Sequence, residues 1–225
     1  MMTGILTSFI AVFLAVFPIV DPLAGGLLFF GMTSLASPVV RRKLARMVAI
    51  YSLIVLNIAL FTGGYVLHFF GISLPVLRVA GGLVVAAAGW KMLNAREEYG
   101  TAQQKAGGLV VLEEDYFRKA FYPITMPLTT GPGTISVLIA LGTGRPVGTA
   151  IETMDFTLGA VAATIALAGT IYVCYAGSGV ISRVFGGNGT EIAIRLTAFI
   201  LFCIGVQILW TGIDDLIVSV MKANR

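Results

Sequence analysis

Charged residues are scarce in this sequence. Asp, Glu, Lys and Arg make up only 12% of its 225 residues, whereas a soluble globular domain typically carries about 25%. Hydrophobic residues account for 57%, and the mean hydropathy is +0.94. Several apolar stretches reach the roughly 20 residues that a helix needs to cross a bilayer. The composition therefore excludes a soluble domain and predicts an integral membrane protein embedded in a lipid bilayer.

Cysteine and histidine are also rare, and this limits the available chemistry. The chain has two cysteines, Cys174 and Cys203, and one histidine, His68. The cysteine spacing fits neither a metal site nor a redox motif, so we interpret both as small packing residues of helices. The sequence contains no HExxH, no Ser/His pair, no nucleotide-binding motif and no paired carboxylates at mid-membrane depth. We predict that the protein is not an enzyme and needs no metal or other cofactor.

The chain contains six apolar segments, three in each half. They cover approximately residues 4–35, 47–70, 74–94, 117–142, 155–176 and 193–218. The first has no basic residue before its apolar part, so it is predicted to be a retained transmembrane segment rather than a signal peptide. The one long connection is polar and rich in Gly, Gln and Ala, as is typical of a linker. We therefore expect a three-helix repeat at 1–95, a cytoplasmic linker at 96–116 and a second repeat at 117–225.

Basic residues predict the orientation. Under a six-span arrangement, eleven of the fifteen fall on one side, in the loop after the first segment, in and beside the linker, and after the fifth segment. The other four are Arg78, Arg145, Lys222 and Arg225. The positive-inside rule puts the basic side in the cytoplasm and both termini outside. The net charge of +4 thus reflects topology, and no nucleic-acid partner is expected.

Two short motifs indicate an internal repeat. FPIVDPL at 17–23 aligns without a gap with YPITMPL at 122–128. The shared positions are Pro18 and Pro123, Ile19 and Ile124, Pro22 and Pro127, Leu23 and Leu128, and then Gly26 and Gly131. Each half crosses the membrane three times, so the second must be inverted relative to the first. The predicted fold is an all-α polytopic membrane protein with six transmembrane helices, arranged as two inverted three-helix repeats with discontinuous first and fourth helices.

A second pair of motifs supports the same repeat. FGISLPVLRVAGG at 70–82 resembles FGGNGTEIAIRLTAF at 185–199. Phe70-Gly71 aligns with Phe185-Gly186, and Arg78 aligns with Arg195 after a two-residue insertion. The two arginines would lie near opposite membrane faces. We interpret them as snorkelling anchors, with gating or lining a vestibule as the alternative.

The proline motifs predict broken helices and a binding site at mid-membrane. A proline lacks the N–H that the helix needs, and it pushes the residue before it towards extended backbone. A half-helix that restarts after the break presents free N–H groups and a partial positive charge, which attract a carboxylate. Carbonyls freed at the end of the preceding half-helix suit an ammonium group. Two facing breaks therefore suit a zwitterion, and their Gly and Thr residues predict a small pocket for glycine, alanine or serine.

The predicted substrate-binding residues divide by role. Those for the carboxylate lie in Pro22–Gly25 and Thr129–Gly133, and those for the ammonium lie in Ile19–Asp21 and at Thr125. The full set is Ile19, Val20, Asp21, Pro22, Gly25, Thr125, Pro127, Thr129, Thr130, Gly131 and Gly133. The alternative is that these prolines and glycines are only kinks and packing notches, which are common in membrane helices.

Asp21 is the one acidic residue predicted at mid-membrane depth. An ionisable group there is costly and is a functional candidate by default. Three roles stay open, namely carrying a coupling proton, binding the substrate ammonium, and capping the second half-helix. Its counterpart in the other half is Met126, so the charge is not part of the symmetric scaffold.

Over essentially its whole length, the chain resembles the MarC/SnatA family of bacterial and archaeal inner-membrane proteins. The resemblance rests on FPIVDPLAGG, FGISLPVLRVAGGLVV and PLTTGPGTISV. It implies a six-span protein of the LysE-type group, in the inner (plasma) membrane, that moves small neutral amino acids, above all glycine and alanine, by a proton-linked mechanism. The usual family pattern has asparagine before the first proline, where this chain has Asp21.

The sequence leaves other functions open. A channel, an exporter of another small solute and a non-transporting membrane scaffold are the alternatives to a secondary transporter working by alternating access. A homo-oligomer is also compatible with the sequence, as is either direction of transport.

Overall fold

The computed structural model describes residues 2–94, 113–145 and 149–223. The first half of the chain forms α1 (Met2–Val20), α2 (Pro22–Met32), α3 (Pro38–Phe69) and α4 (Leu74–Asn94). The second half forms α5 (Glu113–Arg118), α6 (Ala120–Thr129), α7 (Pro132–Thr143), α8 (Ala150–Ala176) and α9 (Ser178–Ala223). α6 is wound as a π-helix, and the described ranges contain no strand.

Five helical stretches are long and apolar enough to cross a membrane. They are Met2–Met32, which joins α1 to α2, then Pro38–Phe69, Leu74–Asn94, Ala150–Ala176 and Glu191–Lys222. α6 and α7 pass the same test together but meet at 66°, so they make a sixth span if the bent pair is taken as one. The predicted all-α polytopic architecture is thus confirmed, with five to six spans. The fourth predicted segment is discontinuous, whereas the first is interrupted only at Asp21.

Two connections differ from plain loops. Most of the linker predicted at 96–116 lies outside the described residues, but α5 begins at Glu113, so the end of that range is helical. After the fifth apolar segment, α9 begins at Ser178 and its path is interrupted at Gly186, whose φ is +63°. Gly71, between α3 and α4, has a φ of +66°. Both glycines have a positive φ, which residues with a side chain rarely adopt.

Local sequence explains where several helices begin. The Ser37 side chain accepts a hydrogen bond from the Val40 N–H at 3.3 Å, and Pro38 fills the first position of α3. At the start of α8, Thr149 and Glu152 form a reciprocal capping box. Such caps satisfy N–H groups that the first turn of a helix leaves without partners. These starts are therefore encoded locally.

Glycines allow α4 and α9 to pack backbone against backbone. Gly82 and Gly89 on α4 face α9, while Gly205 and Gly212 on α9 face α4. A Cβ added to any of the four would come within 3.0 Å of a backbone atom of the other helix. Small residues at an interface are the usual route to close packing of membrane helices. Elsewhere α1 packs on α8, and α3 packs on α7 and α8.

The two ends of the bundle differ in charge. We call the end where α2 gives way to α3 the basic end, because it carries Arg41, Arg42, Lys43 and Arg46. The opposite end, where α3 gives way to α4, is the far end. At the basic end Arg41 donates to the carbonyls of Thr33 and Ala36, at 2.9 and 3.3 Å, and covers the ring of Phe30. This arginine fixes the turn between α2 and α3.

Candidate functional site

The first break is confined to a single residue. Asp21 separates α1 from α2, and it adopts a left-handed backbone with φ 43° and ψ 68°. Its N–H still donates to the Phe17 carbonyl at 3.0 Å, and its carbonyl accepts from the Gly25 N–H at 2.9 Å. Because Pro22 has no N–H, the Pro18 carbonyl loses its helical donor. α1 and α2 therefore form one apolar stretch, Met2–Met32, without the sharp bend that separates α6 from α7.

The backbone at Asp21 corrects one prediction. The residue before a proline was expected to be extended, and Met126 is indeed extended, with φ −116° and ψ 123°. Asp21 has a left-handed backbone instead, so the prediction is wrong at that position. Aspartate tolerates this conformation because its short side chain can hydrogen-bond locally. Here that side chain caps α2.

The second break is a sharp bend between α6 and α7. Both residues that precede the α6 prolines, Tyr122 and Met126, have extended backbone inside an otherwise helical stretch. Gly131 then caps α7 with no side-chain hydrogen bond, and Pro132 begins the helix. The N-terminus of α7 is thus bare of side-chain caps, unlike that of α2.

Three buried threonines fold their hydroxyls back onto α6. Each donates to the carbonyl five residues earlier, Thr125 to Ala120 at 2.7 Å, Thr129 to Ile124 at 2.8 Å and Thr130 to Thr125 at 3.0 Å. The Thr125 carbonyl also accepts the Thr130 N–H at 2.8 Å. In this conformation that predicted ammonium acceptor is therefore occupied by the chain itself. The hydroxyl oxygens, whose protons are engaged, face their surroundings as acceptors.

Tyr175 joins the two breaks. Its ring is fully buried near the end of α8 and stacks on Phe29 with centroids 4.8 Å apart. The phenolic oxygen lies 2.8 Å from the Thr129 hydroxyl. Since Thr129 gives its proton to Ile124, Tyr175 is the donor. A Cβ on Gly25 would lie 2.5 Å from the same phenolic oxygen. The phenol thus fills the space between α2 and α6.

The Asp21 side chain has neighbours from three helices. Its Oδ1 accepts the Ala24 N–H at 3.2 Å. Thr197 of α9, and Cys174 and Tyr175 of α8, lie near the carboxylate, while the Thr197 hydroxyl donates its proton to the Ala193 carbonyl at 2.9 Å. The helix cap, one of the three predicted roles, is therefore present. The roles of proton carrier and ammonium ligand stay predictions.

The remaining predicted residues divide between packing and termini. Val20 is the buried last residue of α1, Pro22 begins α2, and Pro127 lies inside α6. A Cβ on Gly133 would collide with Val85 of α4 and lie 3.8 Å from Ile19. Ile19 and Gly133, one from each break, are thus neighbours. The structure brings the two motifs together as the repeat predicts, in a closed packing around Tyr175.

A cavity lies on the far-end side of the second break. It has a volume of about 220 Å³ between α4, α7 and α9, and its lining consists of Arg78, Ser136, Val137, Ala140, Leu141, Ile208 and Thr211. Arg78 forms a salt bridge with Asp215 of α9. The Ser136 hydroxyl donates to the Pro132 carbonyl at 2.8 Å, so the cavity adjoins the start of α7. Arg78, interpreted from sequence as an anchor, has a carboxylate partner.

Sequence reasoning missed three residues of these sites. Tyr175, Thr197 and Asp215 sit near segment ends, where an aromatic or polar residue is ordinary in a membrane helix. Their roles depend on which helices are neighbours, and no local motif encodes that. Only the second copy of the proline motif, which implies that two breaks meet, pointed towards this region.

Comparison with known proteins identifies the family. The sequence matches the family described as "MarC family integral membrane protein" over residues 6–217. The inner membrane protein MarC of Salmonella arizonae is 32% identical over 198 residues, which cover 88% of this chain and 90% of that protein. MarC of Salmonella typhimurium is 31% identical over 198 residues with the same coverage, and that of Escherichia coli O1:K1 is 32% identical over 200. No solved structure gives a significant match. The chain therefore belongs to the MarC family of integral membrane proteins.

Proposed function

We propose that this protein is a secondary transporter of small neutral amino acids that works by alternating access. The observation that carries the proposal is the meeting of the two proline breaks, one from each half of the chain, around the buried hydroxyl of Tyr175. Paired discontinuous helices near mid-membrane are typical of transporter binding sites. The resemblance to the MarC/SnatA transporters of the LysE-type group supports the substrate class, with glycine and alanine first and serine next.

The helix contacts support an inverted repeat. If the halves are related by a two-fold axis, exchanging them turns a first–fifth span contact into a fourth–second contact. Both occur, as α1 with α8 and α3 with α7. The third and sixth spans, α4 and α9, exchange with each other and are in contact. Gly71 and Gly186, which the sequence alignment equates, both have a positive φ. We therefore propose two inverted three-helix repeats, covering 1–95 and 117–225.

The two breaks suit different ends of the substrate. α7 begins with no side-chain cap, so its N–H groups and its dipole are available to a carboxylate. α2 begins at Pro22 and is capped by Asp21, whose carboxylate already occupies that N-terminus and would repel a second carboxylate. We therefore propose that the substrate carboxylate binds at the α7 start near Gly131 and Gly133, and the ammonium near Asp21. Asp21 also remains the candidate for proton coupling.

Tyr175 separates these positions from the basic end. α8 ends one residue after it, and the next helix brings Gly179 beside Arg41, so Tyr175 lies on the basic side of the breaks. We propose that the basic end faces the cytoplasm of an inner (plasma) membrane, with both termini outside. Substrate exchange with the cytoplasm then requires Tyr175 and Thr129 to part. Small substrates fit best because the phenol of Tyr175 fills most of the space that the glycines leave open.

Reconstituted protein tests the proposal. We would measure uptake of labelled glycine and alanine into proteoliposomes, with and without a pH gradient, and expect saturable flux that the gradient alters. Thr130→Val removes a hydroxyl from the second break and is expected to lower the flux. The control Thr62→Val removes the same kind of bond, to the Ile58 carbonyl at 2.7 Å, from an exposed site on α3. Absence of flux for both amino acids would contradict the proposal. Flux that rises linearly with concentration would indicate a channel.

A further inference from the structure

An ion pair lies at the far-end cavity, and neither of its members belongs to the two proline breaks. Arg78 of α4 lines the cavity and binds Asp215 of α9, and their side chains are 31% and 37% exposed. Both lie within membrane-spanning stretches. Ionisable residues at such positions usually face a water-filled space or each other. Here Arg78 and Asp215 face each other, and Arg78 also lines the cavity. The pair is therefore held in place and yet accessible to a small solute.

Acceptor oxygens complete the polar lining. The Ser136 hydroxyl donates to the Pro132 carbonyl at 2.8 Å, and the Thr211 hydroxyl donates to the Gln207 carbonyl at 2.9 Å. Each hydroxyl has one proton, so each oxygen can only accept from a group in the cavity. The lining thus offers the guanidinium of Arg78 as donor and the hydroxyl oxygens of Ser136 and Thr211 as acceptors. Asp215 is outside the lining, but it binds Arg78 and lies one turn beyond Thr211 on the same face of α9. The rest of the lining is aliphatic.

The volume sets the size of a ligand. About 220 Å³ corresponds to roughly seven water molecules at about 30 Å³ each. It is smaller than the roughly 300–1,000 Å³ of pockets for drug-sized ligands. A solute of five to seven heavy atoms fits this volume with some of its hydration.

The charges select the ligand class. Only one guanidinium nitrogen, Nη1, holds Asp215, so the other donors of Arg78 stay open to a carboxylate. A simple anion there would add a second negative charge beside Asp215, and a simple cation at Asp215 would add a second positive charge beside Arg78. A zwitterion presents a carboxylate and an ammonium together, so it meets both members of the pair with opposite charge.

We infer that the far-end cavity is an entry site for zwitterionic amino acids, separate from the two breaks. The substrate carboxylate binds Arg78, and its ammonium binds Asp215 and the hydroxyl oxygens of Ser136 and Thr211. Ser136 lies one turn into α7 and donates to the carbonyl of Pro132, its first residue, so a substrate bound here is adjacent to the second break. The inference rests on the proposed function for its direction, but the binding chemistry stands on the cavity alone.

Binding to the purified full-length protein tests the chemistry directly. The probes are glycine, acetate and methylamine, measured by calorimetry or by shifts in thermal unfolding. Glycine is expected to bind at least about tenfold more tightly than either half-ligand, since each lacks one charged partner. Equal affinity for glycine and acetate would overturn the inference. Arg78→Gln and Asp215→Asn should each weaken glycine binding about tenfold or more, and the exchange Arg78→Asp with Asp215→Arg should restore part of it.

Transport separates this site from the breaks. Arg78→Gln is expected to raise the KM for glycine uptake with little change in kcat, because entry is weakened and the breaks are intact. The matched control is Arg195→Gln, which removes an exposed ion pair with Glu191 and should leave KM unchanged. Ser136→Ala keeps the ion pair and tests the cavity if Arg78→Gln folds poorly; it should also raise KM. Saturable wild-type flux with an unchanged KM in Arg78→Gln and Ser136→Ala would sink this inference and leave the proposed function standing. Absent wild-type flux with selective glycine binding would do the reverse.

Discussion

Substituting Gly25 with alanine should drive the Tyr175 hydroxyl out of its place between the two breaks. The new Cβ would lie 2.5 Å from the phenolic oxygen and 3.3 Å from two ring carbons. Real Cβ atoms hardly ever come closer than 3.0 Å to another heavy atom, so the hydroxyl must move by at least 0.5 Å. Tyr175 has little freedom to move, because it is fully buried and stacked on Phe29.

The free-energy change follows from three contributions. Overpacking a filled interior costs about 1–3 kcal/mol. Loss of the Tyr175–Thr129 hydrogen bond costs about 0.6 kcal/mol, the average for such bonds between membrane helices. Replacing glycine inside a helix with alanine returns about 0.5–1 kcal/mol. Gly25→Ala should therefore lower the free energy of unfolding by about 1–3 kcal/mol, and Tyr175→Phe alone by about 0.6 kcal/mol.

The double variant is the decisive measurement. Phenylalanine at 175 vacates the space that the alanine methyl needs, so Gly25→Ala with Tyr175→Phe should be more stable than Tyr175→Phe alone by up to about 1 kcal/mol, because alanine is favoured over glycine inside a helix. The expected coupling energy is the overpacking cost plus the hydrogen bond that both single variants lose, about 1.5–3.5 kcal/mol. Reversible unfolding in mixed micelles measures it, and Gly31→Ala on the same helix is the control, since a Cβ there meets nothing within 4 Å. If Gly25→Ala behaves like Gly31→Ala, or if the two substitutions are additive, the phenol does not fill the gap between the breaks.

Two further predictions concern charge and close packing. Asp21→Asn keeps a side chain that can cap α2, so thermal stability in detergent should change little. Any effect of a pH gradient on glycine flux should disappear in this variant. Asp21→Ala should lose that effect and also about 1 kcal/mol of stability. If the pH gradient acts equally on Asp21→Asn and wild type, Asp21 is a cap and not the proton carrier. Gly205→Ala places a Cβ against the backbone of Ala86, which cannot move aside as a side chain can, and should destabilise by about 2 kcal/mol or more in the same unfolding assay. Gly169→Ala, with nothing within 4 Å of its Cβ, should be neutral, and equal behaviour of the two would show that α4 and α9 have room between them.

The features that local chemistry dictates could be predicted from the sequence. Apolar length predicted the spans, and the prolines at 123 and 127 predicted the non-helical residues Tyr122 and Met126 within α6. The first helix is also discontinuous, as predicted, but its break is confined to Asp21. Proline alone disrupts a helix equally in both halves, but Asp21 caps the restarted turn through a left-handed backbone and keeps the helix nearly continuous. One polar side chain decided the difference.

The members of the site that lie on other helices could not be predicted. Tyr175 and Thr129 are 46 residues apart, and Arg78 and Asp215 are 137 apart. Each pair exists only because particular helix faces meet, and apolar faces of membrane helices carry little information about their partners. The Thr125 carbonyl shows the same limit at short range, because the π-helical winding of α6 gives it two donors from Thr130.

The glycine contacts between α4 and α9 also determine which parts of the molecule are able to move. Because the backbones of α4 and α9 are in contact, with no side chains between them, the two helices should move together as one rigid unit. One of these helices comes from each half of the chain. If the other spans rotate relative to this unit, the chain must bend where it enters α4 and α9, and Gly71 and Gly186 lie at those points. In the proposed transport cycle, these two glycines with positive φ would be the points at which the chain bends.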